Sequence, residues 1–96
     1  MIEVRKTEQF TAWFASLRDR QARARIQTRI DRAEIGNFGD CNPVGNGVSE
    51  MRIHYGPGYR VYFVQRGKAL IILLAGGDKQ TQSTDITTAL ELARQL

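Results

Sequence analysis

Between residues 50 and 85 the chain reads EMRIHYGPGYRVYFVQRGKALIILLAGGDKQTQSTD. Its polar side chains are of the kinds that handle phosphate. Arg52, His54, Tyr55, Arg60 and Lys79 recur where three strand-like runs could gather them on one face. The chemistry such a face could do is cleavage of RNA by attack of a 2′-hydroxyl on the adjacent phosphate. That reaction needs a base for the hydroxyl, an acid for the departing 5′-oxygen and cations around the phosphorane, and it needs no metal. His54 is a candidate base or acid, since an unperturbed imidazole titrates near ~6.5. Asp78 and Asp85 could share that work. Arg52, Arg60 and Lys79 could stabilise the added negative charge. Tyr55, or Tyr62 if it shares the Arg60 face, could stack on a base, worth roughly 1–3 kcal/mol.

Each of these residues has a plainer alternative. A lone histidine on a strand is ordinarily structural. Arg60 can pair with Glu50 across the sheet. Lys79 follows a glycine pair and can be a solvated turn lysine. Asp85 can serve the dipole of a helix N-terminus. Cys41 is read as incidental.

The elements that must position these residues are legible as pattern. Residues 2–5 alternate apolar and charged, so they read as a short strand. Thr7 suits the N-cap of a helix to about residue 17, whose Phe10, Trp13, Phe14 and Leu17 fall at helical spacing and read as core. Asp19 can cap a second helix to about residue 35, with Ala22, Ile26, Ile30 and Ala33 buried. Arg18, Arg25, Arg29 and Arg32 lie on a neighbouring stripe, within ~60° of one another. Of these, Arg25, Arg29 and Arg32 are the expected contact for an acidic protein partner, and a solvated helix face is the alternative. Residues 36–47, GNFGDCNPVGNG, read as a loop. They lack the Lys-Ser/Thr ending of a phosphate-binding P-loop.

Residues 48–55 alternate again, with Val48 and Met51 or Ile53 inward and Glu50, Arg52 and His54 outward. Gly56-Pro57-Gly58 signals a turn. Residues 59–66 form the next strand, with Val61 and Phe63 on one face and Arg60, Tyr62 and Val64 on the other. Gly67-Lys68 suits a hairpin turn. Residues 69–75 are apolar throughout, as in a strand buried on both faces, and Gly76-Gly77 ends it. A last helix starts near Thr84. The expected architecture is one α+β domain over residues 1–96. Its sheet is small and antiparallel-rich, in the order β-α-α-β-β-β-α, with the two N-terminal helices on one face and the polar set on the other.

Composition narrows the partners. Ninety-six residues make one small domain. The net charge is +4, and 11 of the 14 basic residues are Arg, whose planar fork matches phosphate or carboxylate. That bias points to nucleic acid or an acidic protein. One Cys and one His exclude an internal disulfide and argue against a structural zinc site. No metal or other cofactor is implied. No run reaches the ~18 apolar residues of a membrane span, and the N-terminus lacks a signal-peptide core, so a cytoplasmic protein with no membrane partner is expected.

The element order, the Gly56-Pro57-Gly58-Tyr59-Arg60-Val61 segment and the Gly76-Gly77-Asp78-Lys79 segment resemble the RelE/ParE superfamily, toxins of bacterial type II toxin–antitoxin modules. The nearest likeness is to its short HigB-like branch of addiction-module killer proteins. It covers nearly the whole chain and is most specific over residues 50–89. The resemblance implies one of two activities. RelE-like members cleave messenger RNA in the ribosomal decoding site, and ParE-like members poison DNA gyrase. Both are neutralised by a cognate antitoxin, usually a DNA-binding protein, here expected to be of helix-turn-helix type. Arg60 matches a functional arginine of the RNA-cleaving branch, and Lys79 matches a functional basic residue after the last strand. Arg52 and His54 lie on the strand where RNA cleavers place Lys or His. Two departures stand out. Asp85 falls where some relatives carry a Tyr, and there is no His near the C-terminus. The preferred reading is a ribosome-dependent mRNA endonuclease that inhibits translation. The His54, Arg60 and Lys79 group favours it, because a gyrase poison needs no acid or base. A non-catalytic domain whose basic face only binds an acidic antitoxin is a third reading.

Overall fold

Two capping residues start the helices where the sequence places them. In the computed structural model, which describes residues 1–96, Thr7 Oγ1 accepts from the Phe10 N–H at 3.0 Å and donates to the Leu74 carbonyl at 2.6 Å. The cap therefore ties helix α1 (Glu8–Ser16) to the sheet as well as starting it. Asp19 Oδ1 accepts from the Gln21 and Ala22 N–H groups and starts α2 (Arg20–Glu34). Helix α2 is polar apart from one stripe. Its Ile26 and Ile30 are buried, and each contributes roughly 1.5–3 kcal/mol by leaving water. That exceeds what a cap supplies, so packing holds this helix in place.

The sheet has five strands: β1 (Glu3–Lys6), β2 (Cys41–Gly45), β3 (Val48–Ile53), β4 (Tyr59–Arg66) and β5 (Leu70–Gly77), in the order β1-β5-β4-β3-β2. Only β1–β5 is parallel; the other three pairings are antiparallel. A short 3₁₀ turn (Lys79–Thr81) leads into α3 (Gln82–Arg94). The α+β class and the placement of α1 and α2 on one face match the sequence reading. No helix is long and apolar enough to cross a membrane.

Two expectations are corrected. Residues 41–45 are not loop but the edge strand β2. The missed signal is Asn46-Gly47, a pair suited to a two-residue hairpin. Both residues have positive φ (52° and 79°), and Gly45 faces Val48 across the turn. Pro43 is tolerated because β2 is an edge strand. Secondly, the face opposite α1 and α2 is not an open polar surface. Helix α3 covers it, burying Val48, Tyr62, Val64, Leu74, Ala75 and Ala89 together. Glu50 and Tyr62 look outward-facing by alternation, yet both are buried beneath α3.

The Gly76-Gly77 pair ends β5, as the sequence reading has it, and follows directly on a bulge in that strand. Tyr62 pairs with Ala75, but Phe63 pairs with Leu73. The extra residue lets Leu74 and Ala75 both pack in the α3-side core. Gly76 is thereby turned toward α1 and Gly77 toward the start of α3. A Cβ on Gly76 would lie 2.2 Å from Trp13, and one on Gly77 would lie 1.7 Å from Asp85 Oδ2.

Candidate functional site

Most of the predicted polar residues come together at one end of the sheet. The end of β3 carries Arg52, His54 follows it directly, the start of β4 carries Arg60, and Asp78 and Lys79 follow the end of β5. Arg52 and Arg60 are direct cross-strand partners. Like charges so placed are destabilising unless anions compensate. Each has one. Glu50 Oε2 lies 3.3 Å from Arg60 Nε, and Asp40 Oδ1 lies 3.1 Å from Arg52 Nη2. Arg52 Nε is buried without a hydrogen-bond partner, whereas the buried Arg60 Nε meets Glu50 as an ion pair without hydrogen-bond geometry.

The residue that sequence reasoning missed is Asp40, hidden in the supposed loop. Its other oxygen, Oδ2, lies 2.6 Å from His54 Nε2. A carboxylate only accepts, so Nε2 carries the hydrogen. Asp40 thus bridges His54 and Arg52. The bond from His54, helped by the Arg52 charge, holds the Asp40 carboxyl below its ordinary range. The loop that carries Asp40 is fixed by Arg29, which donates to the carbonyls of Arg52, Phe38 and Asp40. Gly39 makes room for it. Its φ is +67°, and a Cβ there would lie 2.9 Å from Arg29 Nη2. No pattern in the sequence pairs residue 40 with residue 54; only the β2–β3 hairpin does.

Arg60 confirms its plainer alternative and goes further. Glu50 is 1% exposed and accepts from Tyr62 Oη at 3.2 Å and Gln82 Nε2 at 2.7 Å, besides the Arg60 contact. This buried network ties β3, β4 and α3 together and holds the Arg60 side chain. Burial, and then the nearby Glu50 charge, push the Tyr62 hydroxyl far up. Tyr62 is fully buried, so no base can stack on it, which corrects that expectation. Arg60 Nη1 and Lys79 Cβ both lie close to Gly58, at 3.4 and 3.6 Å from where a Cβ there would sit, and Lys79 is exposed.

The two aspartates have structural occupations. Asp78 Oδ1 accepts from the Gln80 and Thr81 N–H groups and caps the 3₁₀ turn. Asp85 accepts from Thr81 Oγ1 in the first turn of α3, packed against Gly77. Cys41 donates to the Phe38 carbonyl, and burial pushes its thiol up. No group of three or more His, Cys, Asp or Glu side chains gathers to hold a metal.

The helical arginines divide. Arg25, Arg29 and Arg32 line a groove of ≈ 470 Å³ that also contains His54. The surface expected to meet an acidic partner is therefore continuous with the histidine. Arg29 is half-buried and engaged with carbonyls, whereas Arg25 and Arg32 are exposed. The Arg25 guanidinium sits 4.7 Å over the Tyr55 ring. Tyr55 Oη donates to Asp19 Oδ2 at 2.9 Å, locking the end of β3 to the start of α2. One face of Tyr55 is thus already occupied.

The chain belongs to a toxin-like family associated with toxin–antitoxin modules, in which a toxin's partner is an antitoxin. That family is described as Phage derived protein Gp49-like (DUF891), matched over residues 12–96. An uncharacterized protein of Haemophilus influenzae (strain KW20 / Rd) is 45% identical over 95 residues, which is 99% of this chain and 96% of that protein. No solved structure matches the chain.

Proposed function

We propose that this toxin is a RelE-like endoribonuclease that cleaves translated mRNA on the ribosome and is held in check by an acidic segment of its antitoxin. The observation that carries the reading is the Asp40-bridged pair of His54 and Arg52, with Arg60 directly across the strand. In the reaction, His54 removes the proton of the 2′-hydroxyl. The 2′-oxygen bonds to phosphorus, and the bond to the 5′-oxygen breaks. The departing oxygen takes a proton from the medium, leaving a 2′,3′-cyclic phosphate and a 5′-hydroxyl. Arg52, Arg60 and Lys79 supply the cations for the phosphorane.

The test is primer extension on a message under translation with purified protein. New 5′ ends that require ribosomes are expected. His54→Gln, which keeps hydrogen bonding but loses imidazole chemistry, should slow single-turnover cleavage by about 10²-fold or more. Intact message together with relaxed plasmid DNA would overturn the nuclease reading in favour of gyrase poisoning.

A further inference from the structure

From the geometry around β2 we infer that Asp40 is a positioning residue for His54, fixing the imidazole through Nε2 so that Nδ1 is the working nitrogen. This rests on the nuclease reading for its consequence, but the positioning can be tested without it.

His54 alone could not hold one orientation. It lies just beyond β3, and its side chain is 76% exposed. An exposed imidazole ordinarily samples several rotamers, and catalysis needs one of them. Asp40 removes that freedom only if Asp40 is itself fixed, and three sets of contacts fix it. The Arg52 N–H donates to the Asp40 carbonyl at 3.0 Å, placing residue 40 beside the β2–β3 ladder. Arg29 Nη2 donates to the Asp40 and Phe38 carbonyls on either side of Gly39. Arg52 Nη2 then holds Oδ1, which leaves Oδ2 pointed at His54. A merely solvated surface aspartate would have none of these restraints.

The chemical consequence is a division of labour on one ring. Nε2–H is committed to a carboxylate, so the only free lone pair is on Nδ1. Nδ1 is the atom that can take the proton of a substrate hydroxyl. The carboxylate also stabilises the imidazolium that forms when it does. Orientation of a catalytic histidine by a neighbouring aspartate has precedent as a physical device in hydrolases.

There is one histidine in the chain, so its ring gives an unambiguous NMR signal. Relaxation of the His54 Cε1–H group and the couplings that report χ1 should show one ordered rotamer in the wild-type protein. Asp40→Ala should leave the backbone spectrum folded, average the His54 rotamers, and lower the maximal cleavage rate about tenfold or more, with half-saturation by ribosomes changed less than about twofold. Asp40→Asn keeps the shape but only one acceptor oxygen. With that oxygen on Arg52, its amide donates to His54 Nε2, so ring order should largely return while the hydrogen moves to Nδ1 and cleavage stays slow. It also serves if Asp40→Ala does not fold. A ring equally mobile in wild type and variant overturns the inference, as does wild-type cleavage by a folded Asp40→Ala protein. If the wild-type protein cuts no RNA at all, the nuclease reading fails, and the ring-order comparison alone decides whether Asp40 fixes His54.

Discussion

The ring of Trp13 lies so close to the Gly76 backbone that a Cβ at residue 76 would come within 2.2 Å of Cε3. The indole is half-buried and packed against the core, so it cannot swing aside cheaply. Gly76→Ala should therefore destabilise by about 1–3 kcal/mol, as overpacking does. Urea unfolding of a double-mutant cycle with Trp13→Leu checks the cause, because the smaller side chain should recover most of the loss. Gly77→Ala should cost less. Its obstacle is the Asp85 carboxylate, the end of a rotatable side chain.

Arg60 and Glu50 predict a stability effect that the sequence alone would not suggest. Arg60→Ala leaves the buried Glu50 carboxylate without its cation, which should cost about 3–5 kcal/mol. Toxicity lost in that variant would then be ambiguous. Arg60→Ala combined with Glu50→Gln removes both charges while the Tyr62 and Gln82 contacts persist. Thermal melts should place the double variant above the single one. A double variant that melts with or below Arg60→Ala would show that the pair does not couple.

How much of this was legible follows from where each restraint lives. The caps at Thr7 and Asp19, the helical stripes and strands β3 to β5 are local patterns, and they were read directly. Strand β2 was obscured because Gly, Asn and Pro dominate its neighbourhood, and the Asn46-Gly47 hairpin signal was absorbed into a supposed loop. The buried state of Glu50 and Tyr62 was illegible. Each looks polar alone, and only their mutual bond and the Gln82 contact make burial tolerable. Asp40 was missed for the same reason. Its role comes from partners 12 and 14 residues away, brought close by a hairpin.

Acid should weaken the fold through two particular carboxylates. The Tyr55 hydroxyl, followed by the Ala22 N–H, holds Asp19 below its ordinary value of 3.8, and the His54 bond does so for Asp40. A carboxyl whose pKa is lower folded than unfolded stabilises the fold above the unfolded value. That contribution fades as pH falls through the folded value. The contribution of these two carboxylates should therefore be constant above about pH 5, and urea midpoints should fall as the pH drops below about 4. Tyr55→Phe, which removes the Asp19 bond, should make that fall shallower. An unchanged acid limb in Tyr55→Phe would remove Asp19 from the account.

The groove arginines should separate by function when an antitoxin binds. Charge complementarity acts mainly on association rate. Arg25→Glu and Arg32→Glu, at exposed positions lining the groove, should each slow association by roughly tenfold at low salt, with the effect shrinking as salt rises. Reversal at Arg25 also removes its contact with Tyr55, a loss of only about 0.5–1 kcal/mol at an exposed site. Arg29→Glu should behave differently. It removes the Arg29 donor from three carbonyls and sets a carboxylate against them, so the expected result is lost stability and a disordered Asp40 loop. Stopped-flow association with the antitoxin, run beside thermal melts of the three variants, checks the division. If Arg29→Glu melted like wild type and only slowed association, Arg29 would belong with the binding arginines and not with the support of Asp40.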